Sequence, residues 1–270
     1  MQTEVMSIRM LRALFFVLGF FLYAGISYAA EKGAIRVLCY NIHHGVGVDG
    51  KLDLKRIAKV IKDASPDIVS LQEVDNGTKR TKGVDQAKEL ADLTGMKFTY
   101  GASMDFQGGE YGNAVLTRFD ISGKKVVPLP GEPRSALFAT LKLPENQYTV
   151  NELLFIAAHL DLSAKARLRS VELIEAQFDA MPDQVAILAG DLNATPRSQV
   201  MKAFGGNWTN TVHDNAFLTA PSGKPAYHID HVLFRPSDAF KVIEAKVLKE
   251  KVASDHRPVL VVWELKPRGS

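Results

Sequence analysis

Asp191 and Asn193 set a carboxylate and an amide two residues apart in the run Ala189-Gly190-Asp191-Leu192-Asn193-Ala194-Thr195-Pro196, just past an apolar stretch at 185–189. Side chains alternate along an extended chain, so the pair would share one face where a strand stops. Thr195 before Pro196 predicts a helix that opens there, capped by the threonine hydroxyl, and closes at Gly205. Glycine, aspartate, asparagine and proline are also the vocabulary of plain turns. The stretch acquires chemical meaning from the company it keeps.

The same delivery recurs along the chain. Apolar residues 35–40 run into Asn41-Ile42-His43-His44-Gly45, and residues 68–71 run into Gln72-Glu73. Residues 153–158 end in His159 and then Asp161, the strand expected at 229–234 carries Asp230, and Ser254-Asp255-His256-Arg257-Pro258 precedes the apolar run at 259–263. Carboxylate and amide oxygens suit magnesium or manganese. Histidines beside carboxylates suit proton transfer, and His256 is the best general base by residue type, with Asp230 to orient it. A single cysteine and no HExxH sequence give a zinc centre little support.

Other polar residues have two readings each. His43 shares the parity of Asn41 and would face a substrate, or is an ordinary packed or surface histidine. Tyr111 and Arg134 fit phosphate contacts, with arginine suited to a two-point grip; otherwise they are a loop aromatic and a surface ion pair. His228 and His231 flank Asp230, His231 with the opposite parity to it, and both point to packing or the rim. Trp208 and His213 fall in a stretch at 205–227 that reads as an irregular surface loop. Cys39 lies in an apolar run and reads as a small core residue.

The elements needed to mount these groups are legible. Asp53 caps an expected helix with Leu54, Ile57, Ala58 and Ile61 on one face, and Asp85 caps another that Gly95 stops. Strand, helix, strand in this order predicts layered α/β packing. Short segments broken by Gly and Pro over 98–150 predict antiparallel sheet. Ser163 would cap a third helix with Leu168, Val171, Ile174 and Phe178 inward. Its Lys165, Arg167 and Arg169 oppose the helix dipole, which fits either a nearby anion or solubilising charge.

Composition is ordinary for a globular chain of 270 residues, 46% hydrophobic and 23% charged, so a sizeable core is expected. Arg9 and Arg12 precede an apolar run at 13–24, and small residues close it at Ser27, Ala29 and Ala30. This order describes a secretory signal peptide over 1–30, with an uncleaved membrane anchor as the alternative, and a single domain over 31–270. The implied location is secreted or periplasmic, with no membrane span left after cleavage. Losing Arg9, Arg12 and Glu4 takes the formal charge from +3 to +2, too small to favour a nucleic-acid partner. Nothing in the sequence indicates a protein partner.

Taken in order, Tyr40-Asn41, Leu71-Gln72-Glu73, Gly112-Asn113-Ala114, His159-Leu160-Asp161, Gly190-Asp191-Leu192-Asn193, Ile229-Asp230-His231 and Ser254-Asp255-His256-Arg257-Pro258 resemble the motifs of the endonuclease/exonuclease/phosphatase superfamily. The resemblance implies a four-layer α/β sandwich, two mainly antiparallel mixed sheets face to face with helices outside, that hydrolyses a phosphoester with Mg²⁺ or Mn²⁺. It implies Glu73, Asn41 and Asp255 around the metal and His256 as base, oriented by Asp230. Asp191 and Asn193 would position the nucleophile and phosphoryl oxygens, with Asp191 the alternative base, and His159 would bond a phosphate oxygen or assist the leaving group. His43, Tyr111, Asn113 and Arg134 would contact substrate. The substrate expected is a small or lipid-linked phosphoester. The alternatives are a secreted nonspecific nuclease and a catalytically silent binding module, the latter disfavoured because no main position is lost.

Overall fold

The computed structural model describes residues 33–212 and 217–266. The expected signal peptide and His213 lie outside them. Two six-stranded sheets form the body. The first has the order β11-β12-β1-β2-β4-β3, built from β1 (Ala34–Asn41), β2 (Ile68–Asn76), β3 (Lys97–Phe106), β4 (Gly109–Thr117), β11 (Phe240–Val247) and β12 (Val259–Leu265). The second has the order β5-β6-β7-β8-β10-β9, built from β5 (Asp120–Leu129), β6 (Arg134–Lys142), β7 (Glu152–His159), β8 (Ala186–Asp191), β9 (Thr209–Asn210) and β10 (Asp230–Arg235). Each sheet contains one parallel pair, β1 with β2 and β7 with β8, among otherwise antiparallel neighbours.

Three apolar layers hold the four structural layers together. Ile35, Val37 and Cys39 of β1 meet Phe155, Ala157, Ile187 and Ala189 between the sheets. The alternate residues Leu38 and Tyr40 face outward onto α1 (Leu54–Ala64) and α2 (Gln86–Thr94). On the far side, Ile156, Ala158 and Leu188 pack against α3 (Ala164–Glu175) and α4 (Gln199–Phe204). The four-layer sandwich expected from the motifs is therefore the fold. No helix among the described residues is long and apolar enough to cross a membrane.

The helix starts follow cap chemistry. Asp53 accepts the Arg56 N–H and Asp85 the Lys88 N–H, both at 3.0 Å, as the sequence predicts. Two expectations need correction. Ser163 occupies the cap position of α3 without a side-chain capping bond, while its own N–H is donated to Asp161 Oδ1. The fourth helix begins at Gln199, not at Pro196: Thr195 to Ser198 form a turn, and the Ser198 hydroxyl accepts the Met201 N–H. That later start places Val200, Met201 and Phe204 in the outer core. The stretch after Gly205 is also less irregular than its composition suggests. It contains β9, paired to β10, and Trp208 is buried against Phe178 and Phe204 with its N–H donated to Glu175, so it packs instead of meeting a substrate.

Gly190 shows how closely the backbones approach beneath Asp191. A Cβ there would lie 2.0 Å from the Ala158 carbonyl oxygen on the paired strand β7. Gly190→Ala is expected to destabilise the fold by at least about 1–3 kcal/mol, since backbone atoms cannot step aside as a side-chain tip can. Urea denaturation of the variant beside the parent protein checks this.

Candidate active site

Strand parity explains where the polar residues converge. Between the sheets, the inward stripe of β8 runs Ile187, Ala189 and then Asp191; that of β10 runs Phe234, Val232 and then Asp230; that of β7 runs Phe155, Ala157 and then His159. In β1 the stripe Ile35, Val37, Cys39 continues to Asn41. Each polar group is the next inward position after the apolar core ends, so the four gather at one rim of the sandwich. Register completes the alignment, with Asp191 paired to Asp230 on one side and to His159 on the other.

Glu73 breaks this parity, because an undisturbed β2 would turn it outward with Val69 and Leu71. The pairing of β2 with β4 is irregular between Leu71 and Val74, and Glu73 adopts a φ of 59°. A bulge of this kind re-aims one side chain, and here it brings the Glu73 carboxylate to the Asn41 amide, 3.1 Å away.

Asp191 is the hub. Its Oδ2 accepts from Asn41 Nδ2 at 3.1 Å and lies 3.6 Å from His159 Nε2 and 3.7 Å from His256 Nε2. The other nitrogen of His256 meets Asp230 Oδ2 at 2.8 Å, so Nδ1 carries the donated proton. Arg134 donates to Tyr111 Oη at 3.0 Å and approaches His159 Nδ1 at 3.5 Å. Arginine only donates, so His159 accepts on Nδ1 and turns Nε2–H toward Asp191. Asn41, His159, Asp191, Asp230 and His256 are all buried.

The electrostatics follow from that burial. Burial and the Asp230 carboxylate push Asp191 up to about 7, against the opposing pull of His256, the Asn193 N–H and the Asn41 amide. Burial alone would lower His256, but Asp230, then Asp191 and Asp255, outweigh it and raise the ring to about 10. Burial, with Arg134 and His256 adding to it, holds His159 well below the usual histidine range, hence neutral. Two buried carboxylates thus face one imidazolium, and Asp230 Oδ1 is buried with no hydrogen-bond partner among the described residues. A divalent cation at this rim would be held by oxygen donors outside that trio, Glu73 beside the Asn41 amide and Asp255 in its turn, a donor set that suits a hard ion.

The remaining expected residues take varied places. Asn193 does not follow strand parity, because β8 ends at Asp191 and Asn193 adopts a φ of 46°. Its N–H bonds Asp191 Oδ1 at 3.0 Å and its amide donates to the Leu160 carbonyl at 2.9 Å, so it braces the hub. Asn113 spends its amide on Ser135, 2.8 Å to the carbonyl, tying the two sheets. Asp255 sits in a turn in which Ser254 Oγ contacts both the Asn41 carbonyl and Asp255 Oδ1. His43 donates or accepts at Nδ1 opposite the Val46 carbonyl, 3.0 Å away, and a carbonyl requires the donor form. His43, the unassigned His44 and Glu73 present ligand atoms within 4.8 Å of one another. His43, His44 and Gly45 all have left-handed φ, and the turn they form carries both rings toward Glu73. Two of the three basic residues of α3 have protein partners: Arg167 donates to the Asp161 and Leu162 carbonyls and Arg169 pairs with Glu172.

His231, expected to pack, is buried with Nε2 on the Ala194 carbonyl at 2.7 Å. Burial, then neighbouring His228, lowers it to about 3. An unfolded histidine titrates near 6.5, so between about 6.5 and 3 the unfolded chain binds the extra proton. Its contribution to stability is therefore present above that window and is lost as pH falls through it. His231 is expected to contribute a loss of stability on acidification of about 1.4 kcal/mol per pH unit through this window, opposed by Asp191, whose raised value favours the folded chain as pH falls. Denaturant midpoints from pH 7 to 4, compared with His231→Gln, measure it; a variant slope no shallower than the parent's refutes it.

Residues 38–256 match the family model described as Endonuclease/Exonuclease/phosphatase family. Among curated relatives, the uncharacterized protein YbhP of Escherichia coli K12 is 24% identical over 246 residues, covering 85% of this chain and 96% of its own. An endonuclease/exonuclease/phosphatase from Beutenbergia cavernae superposes with a TM-score of 0.67 at 26% identity, over 86% of this chain and 72% of its own. The mannosyl-6-phosphatase Bt3783 of Bacteroides thetaiotaomicron gives a TM-score of 0.70 at 23% identity, over 85% of this chain and 99% of its own. With the match spanning the site from β1 to His256, the chain belongs to the endonuclease/exonuclease/phosphatase family.

Proposed function

We propose that this chain is a divalent-metal-dependent hydrolase of phosphoester bonds, acting on a small or lipid-linked phosphoester outside the cytoplasm. Family members are hydrolases of phosphoester bonds. The observation that carries the reading for this chain is the convergence of Asn41, His159 and His256 on one buried carboxylate, Asp191. The export part rests on the N-terminal pattern of residues 1–30.

Glu73, Asn41 and Asp255 would hold the metal, Mg²⁺ or Mn²⁺, which would supply charge neutralisation at the phosphoryl oxygens. The protein's own groups do the rest. Asp191, raised to about 7, takes the proton of an attacking water near neutral pH, where a base of that strength is most effective; as the water oxygen bonds phosphorus the bond to the leaving alcohol breaks, and its oxygen takes a proton from solvent. In this reading His256, with Nδ1–H held by Asp230, donates to a phosphoryl oxygen, and Asp191 takes the base role that residue type alone gives to His256. Because the two groups are coupled, they titrate as a pair. Arg134 and Tyr111, already hydrogen-bonded to each other, grip the phosphate beside His159, and Asn193 holds Asp191 in place.

A panel comprising an aryl phosphomonoester, a bis-aryl phosphodiester, a sugar phosphate, a choline phospholipid and plasmid DNA, assayed with Mg²⁺ or Mn²⁺, tests this reading. The expected result is turnover of a small or lipid ester in preference to DNA. Preferential cleavage of plasmid DNA would replace the substrate class with nucleic acid, and no turnover across the panel would count against hydrolysis.

A further inference from the structure

The site contains more nitrogen than oxygen-ligand chemistry needs. His43 and His44 follow β1 on a short 3-10 turn, and their rings meet edge to face with centroids 4.5 Å apart. One ligand atom from each lies within 4.8 Å of a Glu73 carboxylate oxygen and of the other. His43 Nδ1–H is anchored on the Val46 carbonyl, the arrangement by which metal-binding histidines fix their tautomer and turn the Nε2 lone pair to the ion. His44 Nδ1 is buried and has no hydrogen-bond partner among the described residues. Glu73 is steadied by Asn41 on Oε1. The neighbouring cation Arg80 is held in a two-point pair with buried Asp75, at 2.7 Å for each contact, so its charge is compensated.

We propose that His43, His44 and Glu73 form a nitrogen-rich cation subsite at the mouth of the active centre, selective for a transition ion such as Zn²⁺, Mn²⁺ or Co²⁺ over Mg²⁺. It deepens the metal-dependent reading, on which it rests only through the shared Glu73. Two imidazoles and one carboxylate are a ligand set that borderline ions favour and magnesium does not. Ligands about 2.1 Å from one ion stand at most about 4.2 Å apart, so atoms within 4.8 Å need only small side-chain rotations to close on it. A phosphate would find a poorer fit, because neutral imidazoles offer one donor each and His43 has spent its own on Val46.

The test uses Co²⁺ as the probe. One equivalent is added to the metal-stripped protein in excess Mg²⁺, and binding is followed by visible absorption and by X-ray absorption fine structure. The expected result is two imidazoles in the cobalt shell of the unaltered protein and at least a tenfold weaker Co²⁺ affinity in His43→Ala and in His44→Ala, a loss that even outer partners of a metal commonly cause at about 10–100-fold. A shell with fewer than two imidazoles, or unchanged Co²⁺ affinity in both variants, overturns the proposal. The fine-structure measurement needs no variant and so stands even if a substitution unfolds the chain. Because neither readout involves turnover, the subsite can fail while Mg²⁺-supported hydrolysis stands, or hold while hydrolysis fails.

Discussion

His256→Ala is expected to lower kcat by about 10²–10⁴-fold, the usual worth of a positioned proton-transfer group. Its ring sits between Asp230 at 2.8 Å and Asp191 at 3.7 Å, so removal loses the donor and leaves two buried carboxylates facing each other. Part of the effect should therefore appear as pH dependence. In the parent protein the rate should rise with pH through an acid limb set by Asp191, raised to about 7 by burial and by Asp230. Asp191→Asn should be similarly slow and should lack that limb, since its amide does not titrate. Asp230→Asn should leave substrate affinity nearly intact while lowering kcat, because it removes the carboxylate that keeps His256 charged and oriented. A His256→Ala enzyme with nearly parental kcat would show that the cluster is structural. Folding is checked by thermal denaturation of each variant.

Glu73→Gln carries the other large effect. The glutamate is aimed at the rim by a bulge and a left-handed backbone, a conformation that costs of order 1–3 kcal/mol and persists only where the surroundings enforce it. An amide can keep the Asn41 contact but loses the charge. Metal stabilisation of phosphoryl transfer is worth several kcal/mol, so kcat/KM should fall by at least about 10²-fold, since each 1.36 kcal/mol is tenfold. Calorimetric titration with Mn²⁺ should show weakened binding in the same variant. Unchanged Mn²⁺ affinity would remove Glu73 from the metal environment.

Much of the site was readable because most of it obeys one rule, polar residues placed where an apolar strand ends. Asn41, His159, Asp191 and Asp230 continue the inward stripes of four strands, and simple alternation places each on the correct face. Glu73 and Asn193 do not obey it. Both have positive φ; asparagine adopts it more readily than most residues, but nothing in a glutamate announces that its backbone will turn left-handed. The Thr195-Pro196 pair misplaced a helix start because Ser198, three residues before Met201, offers the cap that the buried face requires. Strand β11 was not foreseen, since its exposed Val242 and Ile243 and its alternating charges lack the apolar run that marked the inner strands. His44 was passed over because its meaning depends on a third group, Glu73, brought near only by the fold.

The most direct test of metal-dependent phosphoester hydrolysis is the rate of the purified protein on its best panel substrate, measured before chelation, after exhaustive chelation and after back-titration with Mg²⁺ or Mn²⁺. The structure predicts that turnover disappears on chelation and returns saturably with added ion, and that Glu73→Gln cannot be rescued at the same concentrations. Turnover that survives chelation undiminished would contradict the account.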